Sequence, residues 1–259
     1  MGMSEGQLLI AGYVIAGLLG LLIGSFLNVC IYRIPRGEGI ALEPSHCPHC
    51  KTKLHWFELI PLFSWIGLKG KCRTCKHPIS KQYPIVEAAN MLLYLLVVWV
   101  CGFEPITILY CLLASALLVI SVIDFRTFEI PFGINLFIGA LGLGALALDL
   151  ENWPLYVIGF FAVSVPLLLF SLITRGRGIG GGDIKLMAAA GLLIGWKNIL
   201  LAFVLGCIIG TIIHLTRMVV SKAGRVLALG PYLSAGILLA ALWGNKFLEW
   251  YKAFFFPKE

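Results

Sequence analysis

The chain is poor in charge. Asp, Glu, Lys and Arg make up only 13% of its 259 residues, about half the share of roughly 25% in an ordinary soluble protein. A water-covered fold of this length needs more charge on its surface, so a soluble globular class is excluded. Carboxylates are the scarcest charged groups, with 13 Asp and Glu against 20 Lys and Arg. There is no low-complexity tract and no internal repeat. No glycine fingerprint follows a strand, which excludes a nucleotide-binding fold of the usual type. The first apolar run, from near Leu8 to near Tyr32, is not ended by a small-residue cleavage site. It therefore reads as a permanent anchor and not as a removable signal.

Apolar residues are abundant, at 59% of the chain. They fall in runs close to the roughly 20 residues that a spanning helix needs. The runs are Gln7 to Ile31, Pro84 to Cys101, Pro105 to Ile123, Ile130 to Leu148, Leu155 to Ile173, Ile184 to Ile194, Ile199 to Val220 and Val226 to Trp243. The sixth is short. This pattern predicts an all-α polytopic membrane protein of about eight transmembrane helices. The net charge of +7 does not point to nucleic acid, because Lys and Arg cluster between the apolar runs, where they report topology. Sixteen of the twenty lie in segments that alternate onto one face: Arg33 to Lys81, Arg126, Arg175 to Lys185, and Arg217 to Arg225. That face is expected to be cytosolic, with both termini on the opposite, extracytoplasmic side.

The domains expected are a first transmembrane helix (1–32), a cytosolic four-cysteine domain (33–82) and a membrane-embedded core (83–259). The middle domain is polar, and about 50 residues are too few to bury a sufficient core without a metal or disulfides. Within it, Trp56 to Trp65 is too apolar for a free loop. That stretch either forms the small core or lies at headgroup depth on the membrane.

Cys47-Pro48-His49-Cys50 and Cys72-Arg73-Thr74-Cys75 are separated by 21 residues. Two Cys-x-x-Cys knuckles complete a closed tetrahedral four-sulfur site, which is structural in character. A reducing cytosol makes zinc the stronger reading and disulfides the weaker. His46, His49, His55 and His77 crowd the segment and are alternative ligands. Cys30, Cys101, Cys111 and Cys207 lie in or beside apolar runs and read as packing residues.

Two aspartates need a reason in so apolar a chain. Asp124 follows Leu117 to Ile123, and Asp183 follows Gly178-Ile179-Gly180-Gly181-Gly182. Both fall on the face richer in Lys and Arg, at helix ends. An ionisable group there is a candidate for function. Asp183 opens a helix and suits a cap, whereas Asp124 closes one, where the dipole disfavours it. Ion pairing with Arg126 or Lys185 is the other structural role. Two neighbouring carboxyls that share one proton suit peptide hydrolysis. The ionised one takes a proton from the attacking water, and the protonated one hydrogen-bonds the carbonyl oxygen. The glycines offer no side chain, so a substrate backbone can approach. An ion-coupled carrier would carry an inverted repeat with acids near mid-bilayer, and neither is visible. A scaffold that holds a partner through the knuckles would need the cysteines and not the aspartates.

Together these motifs resemble the type IV prepilin peptidases. The resemblance covers nearly the whole chain. It rests on Gly24 to Pro35, the paired knuckles, Ile79 to Glu87, Asp124 with Ile130-Pro131, Gly180 to Asp183 with Lys185, and Leu229 to Leu233. It implies a Gly-x-Gly-Asp membrane aspartyl protease with Asp124 and Asp183 as catalytic residues and Cys47, Cys50, Cys72 and Cys75 as metal ligands. It implies cleavage of basic leaders from type IV prepilins or type II secretion pseudopilins at the cytosolic face. It also implies methylation of the new N-terminus from S-adenosylmethionine. Glu43 and Glu87 flank the knuckles; each is a candidate neighbour of the transferred methyl group, but a solvated or ion-paired surface glutamate is the favoured reading. One departure is Phe132, where many members have an acid after Ile-Pro.

Overall fold

The computed structural model describes residues 4–40, 44–176, 178–221 and 227–255. Glu43, Arg177, Lys222, Arg225 and Val226, used in the sequence reading, lie outside the described residues. The chain divides into two compact units, Met1–Phe103 and Glu104–Glu259. No strand occurs among the described residues.

In the first unit, α1 (Glu5–Arg33) packs along α3 (Gln82–Cys101). Ser4 starts α1 with a capping box, its hydroxyl accepting from the Gln7 backbone while the Gln7 side chain accepts from Ser4. The two helices touch backbone to backbone. A Cβ at Gly20 would fall 2.8 Å from Met91 Cα, and one at Gly24 would fall 2.8 Å from Glu87 Cα. Small residues permit such approach where lipid supplies no hydrophobic drive between helices. Polar bonds then fix the register. Asn90 Nδ2 donates to the Gly20 carbonyl at 2.8 Å, and Asn28 Nδ2 donates to the Tyr83 carbonyl at 3.2 Å.

Between α1 and α3 lie the four cysteines, a 3-10 turn (Trp56–Leu59) and the short α2 (Phe63–Gly67). The apolar stretch Trp56 to Trp65 divides in two. Trp65 folds inward, its Nε1 donating to the Ile79 carbonyl at 3.4 Å. Trp56 and Phe63 turn outward and are 77% and 71% exposed.

In the second unit, α4 (Pro105–Thr127) is followed by α5 (Phe132–Leu148), α6 (Trp153–Ala162), α7 (Ser164–Ile173), α8 (Gly181–Ser221) and α9 (Gly230–Phe255). Helix α8 packs against α5, α6 and α9, and α9 also against α4. The expected span Leu155 to Ile173 is broken at Val163 into α6 and α7. Pro166 cannot donate to the carbonyl of residue 162, which weakens the helix there. The expected sixth and seventh spans are two helical segments of α8 that meet at a break at Gly195 (φ 78°, ψ 166°). Only glycine holds that conformation without strain.

Among the described residues, five stretches are long and apolar enough to cross a membrane: Glu5–Arg36, Gln82–Cys101, Pro105–Thr127, Leu150–Ile173 and Gly181–Val220. Phe132–Leu148 is apolar but shorter. Outward positions carry large apolar side chains such as Leu18, Leu22, Leu136, Val204 and Ile208, while Ala188, Ala189 and Ala190 are buried. Apolar outer faces over a small-residue interior are what a lipid solvent selects. This is a helical membrane protein.

Candidate active site and metal centre

Asp124 occupies the last turn of α4 and is 5% exposed. The helix stops four residues later at Phe128, which takes the left-handed conformation (φ 56°) and whose N–H donates to the Asp124 carbonyl at 2.9 Å. That turn sends the chain into Glu129-Ile130-Pro131 and then α5. Asp183 lies in the first turn of α8, half-buried. Its carboxylate accepts a hydrogen bond from the Gly180 backbone and lies within electrostatic range of Asp124. Both aspartates line one cavity of ≈ 270 Å³, together with Phe128, Glu129, Ile130 and Gly180 to Gly182.

The glycine run is held close to its surroundings. A Cβ at Gly182 would fall 2.9 Å from Ile130 Cβ, so the Ile-Pro segment packs directly on the backbone before Asp183. Asn135 of α5 donates through Nδ2 to the Gly182 carbonyl at 3.4 Å. The Gly230 N–H at the start of α9 donates to the buried Asp124 Oδ2 at 2.9 Å. Lys185 does not take the part of ion partner. Its Nζ lies 5.0 Å from the centroid of the Phe132 ring, a cation–π arrangement. Phe132, the departure after Ile-Pro, thus supplies an aromatic face to that lysine.

Sequence reasoning did not find the Gly230 amide, the Asn135 contact or the position of Glu129 on the cavity wall. Only the run Leu229 to Leu233 had marked the first, and it carried no role.

The two knuckles are built alike. In the first, Cys47 N–H donates to the Thr52 carbonyl (2.9 Å) and Lys51 N–H to the Cys47 carbonyl (2.8 Å). In the second, Cys72 N–H donates to the His77 carbonyl (2.9 Å) and Lys76 N–H to the Cys72 carbonyl (3.0 Å). Lys51 and Lys76 both take positive φ, 59° and 57°. Each knuckle is framed by one antiparallel bridge, His46 with Lys53 and Lys71 with Pro78. The shared Cys-x-x-Cys-Lys pattern is the sequence signal of this short local repeat, which corrects the reading that the chain has no internal repeat.

The sulfurs of Cys47, Cys50, Cys72 and Cys75 all lie within 4.8 Å of one another, and no histidine joins the group among the described residues. Cys47 and Cys75 Sγ are 3.9 Å apart. A tetrahedral site with Zn–S near 2.3 Å places its sulfurs about 3.8 Å apart, so the donor set fits one such ion. His49 and His77 stack on each other, centroids 4.2 Å apart. The Cys50 thiol is pulled down to about 6, first by its hydrogen bond with the Thr52 side chain and then by the Thr52 backbone. Cys75 is pushed up to about 11. The His77 backbone acts to lower it, but burial and the neighbouring thiols outweigh that pull. Four thiols this close cannot all ionise unaided, and a divalent cation removes the conflict.

Glu87, on α3, is 6% exposed, and its Oε2 accepts from the Leu62 N–H at 2.7 Å. It is a buried, bonded carboxylate and not a solvated surface one.

Two family models match the chain. The Bacterial Peptidase A24 N-terminal domain covers residues 18–101, and the Type IV leader peptidase family covers residues 111–215. A prepilin leader peptidase/N-methyltransferase of Stutzerimonas stutzeri is 36% identical over 270 residues, covering 91% of this chain and 92% of its own length. The chain belongs to the type IV leader peptidase family. The protein of the same name from Pseudomonas aeruginosa is also 36% identical (92% of both chains), and that of Bacillus subtilis 32% (90% of this chain, 95% of its own). No solved structure matches it. The first family model begins within α1 and runs through the knuckles and α3, and the second begins within α4, so Asp124 and Asp183 fall in the second.

Proposed function

We propose that this protein is a prepilin leader peptidase and N-methyltransferase. It removes the basic leader from type IV prepilins or secretion pseudopilins and methylates the new N-terminus. The observation that carries the peptidase half is the meeting of Asp124 and Asp183 on one cavity wall with a side-chain-free backbone beside them. Asp124 and Asp183 are the catalytic residues. One carboxylate takes a proton from a water as that water attacks the scissile carbonyl. The other, protonated, hydrogen-bonds the carbonyl oxygen and stabilises its developing charge, and the first then passes the water's proton to the leaving amine as the C–N bond breaks. No covalent intermediate is formed.

The wider reading is a chain of eight spans: α1, α3, α4, α5, α6 with α7, the two halves of α8, and α9. Lys and Arg place the four-cysteine segment and both aspartates at the cytosolic face of a bacterial plasma membrane, with both termini outside. A prepilin lying in the same bilayer then brings its leader junction to the depth of the dyad. The working divisions are 1–32, 33–82 and 83–259. Zinc held by Cys47, Cys50, Cys72 and Cys75 organises the middle segment. S-adenosylmethionine supplies the methyl group. Glu87 faces away from water, locked to Leu62, and acts as a structural tie more than as a methyl-site neighbour.

Mass spectrometry of a prepilin incubated with the purified enzyme tests this. Wild type should remove the leader and add about 14 mass units, a methyl replacing a hydrogen. Asp124→Asn and Asp183→Asn should each lower cleavage by at least about 10³-fold while remaining in the membrane. Full processing by either variant refutes the dyad.

A further inference from the structure

We propose that the stretch from Trp56 to Ile66 is a membrane-contact face, seated in the headgroup layer of the bilayer that α1 and α3 cross. Six large apolar side chains in these eleven residues point outward: Trp56, Phe57, Leu59, Ile60, Phe63 and Ile66 are 77%, 40%, 41%, 40%, 71% and 65% exposed. An exposed apolar cluster of this kind needs a cover.

Three observations name lipid as that cover. The stretch is tethered at both ends to long apolar helices, α1 through Arg33 and α3 from Gln82. Its level is then fixed by a buried bond, because Glu87, in the second turn of α3, holds the Leu62 N–H at 2.7 Å. Leu62 takes a strained conformation to do so (φ 61°, ψ −52°), and strain of this kind persists only where the surroundings fix it. The flanking charge is also of one sign. Lys51, Lys53, Lys69, Lys71 and Lys76 are exposed, while Glu58 is taken up by Arg73 at 3.5 Å. Aromatic side chains beside lysines match the interface of an anionic bilayer.

The test uses the full chain in lipid nanodiscs and reads the emission lost on Trp56→Phe, which isolates that indole. Phosphatidylglycerol-containing discs with lipids brominated near the headgroup should quench this emission by at least about half, and acrylamide should reach it poorly. Protection should weaken in discs of phosphatidylcholine alone. Free quenching by acrylamide with no effect of brominated lipid overturns the assignment. So does protection that appears only when prepilin is added or when two chains share a disc. A melting temperature equal to wild type certifies the variant.

A second observation carries a separate inference, which rests on the dyad reading above. We infer that Gly230 is a positioning residue for peptide cleavage. Its N–H holds Asp124 Oδ2 at 2.9 Å across 106 residues of sequence. A Cβ at this position would fall 2.8 Å from that oxygen and 3.0 Å from Cγ. The start of α9 therefore fixes the side-chain torsion of Asp124, and any larger residue pushes the carboxylate off it.

Gly230→Ala should lower the cleavage kcat at least tenfold with KM within twofold, while methylation of an already cleaved pilin and the melting temperature stay unchanged. Wild-type cleavage overturns the inference. An equal loss of both activities, or a lowered melting temperature, marks general damage and overturns it too. Asp124→Asn is run alongside. If that variant cleaves normally, the dyad itself fails, an outcome separate from any result at Gly230.

Discussion

Asp124 and Asp183 stand out because carboxylates are rare in this chain and each follows an apolar or glycine run. Sequence could therefore mark them one by one. Their meeting in one cavity depends on how α4, α5 and α8 pack, which no local pattern states. The Gly230 amide was invisible for the same reason, since a backbone donor has no residue type to recognise. Glu129 is the third carboxylate on the cavity wall and is exposed, which suits it to meet the basic leader of a substrate. Glu129→Gln should raise KM about two- to fivefold, as for a part-exposed ion pair, with kcat little changed. Steady-state cleavage of a leader with its basic residues neutralised checks this, because the effect should then vanish. An equal effect on both leaders would count against an ionic contact.

At the scale of elements, the cysteine knuckles were legible because two Cys-x-x-Cys pairs at this spacing have few other uses. Their matched turns at Lys51 and Lys76 need positive φ at a non-glycine residue, which composition does not announce. Removing the metal with a strong chelator should release about one zinc per chain and open the segment between α1 and α3 to proteolysis. Zinc content by emission spectroscopy and limited digestion read the two effects. A chain that holds no metal, or whose digestion pattern is unchanged after chelation, contradicts a structural ion. The α1–α3 contact makes a different prediction. Gly24 sits against Glu87 Cα, so Gly24→Leu should overpack the interface and cost about 1–3 kcal/mol. Thermal melting in detergent should show a lowered midpoint, while Ile10→Leu on the exposed face of α1 should not move it.

For the whole molecule, composition fixed the solvent before any element was placed, because 13% charge cannot cover a water-facing surface. The helix count was harder to read. Hydropathy reports length and polarity; it marked the break after Ile194, where Gly195 interrupts α8, but it could not see that Val163 separates α6 from α7. Among the described residues five stretches pass on length and apolarity, and the eight-span reading adds the shorter α5, the second half of α8 and the more polar α9. Impermeant thiol labelling of single cysteines in intact cells tests that reading. A cysteine replacing Lys246 should label from outside, and one replacing Lys69 should not. The claim beneath all of this is that the two aspartates work as one unit. The most direct measurement is the single-turnover cleavage rate of Asp124→Asn/Asp183→Asn set beside each single variant. The account predicts that the double variant is no slower than the slower single. Losses that simply multiply, or one single variant that cleaves at the wild-type rate, would contradict it.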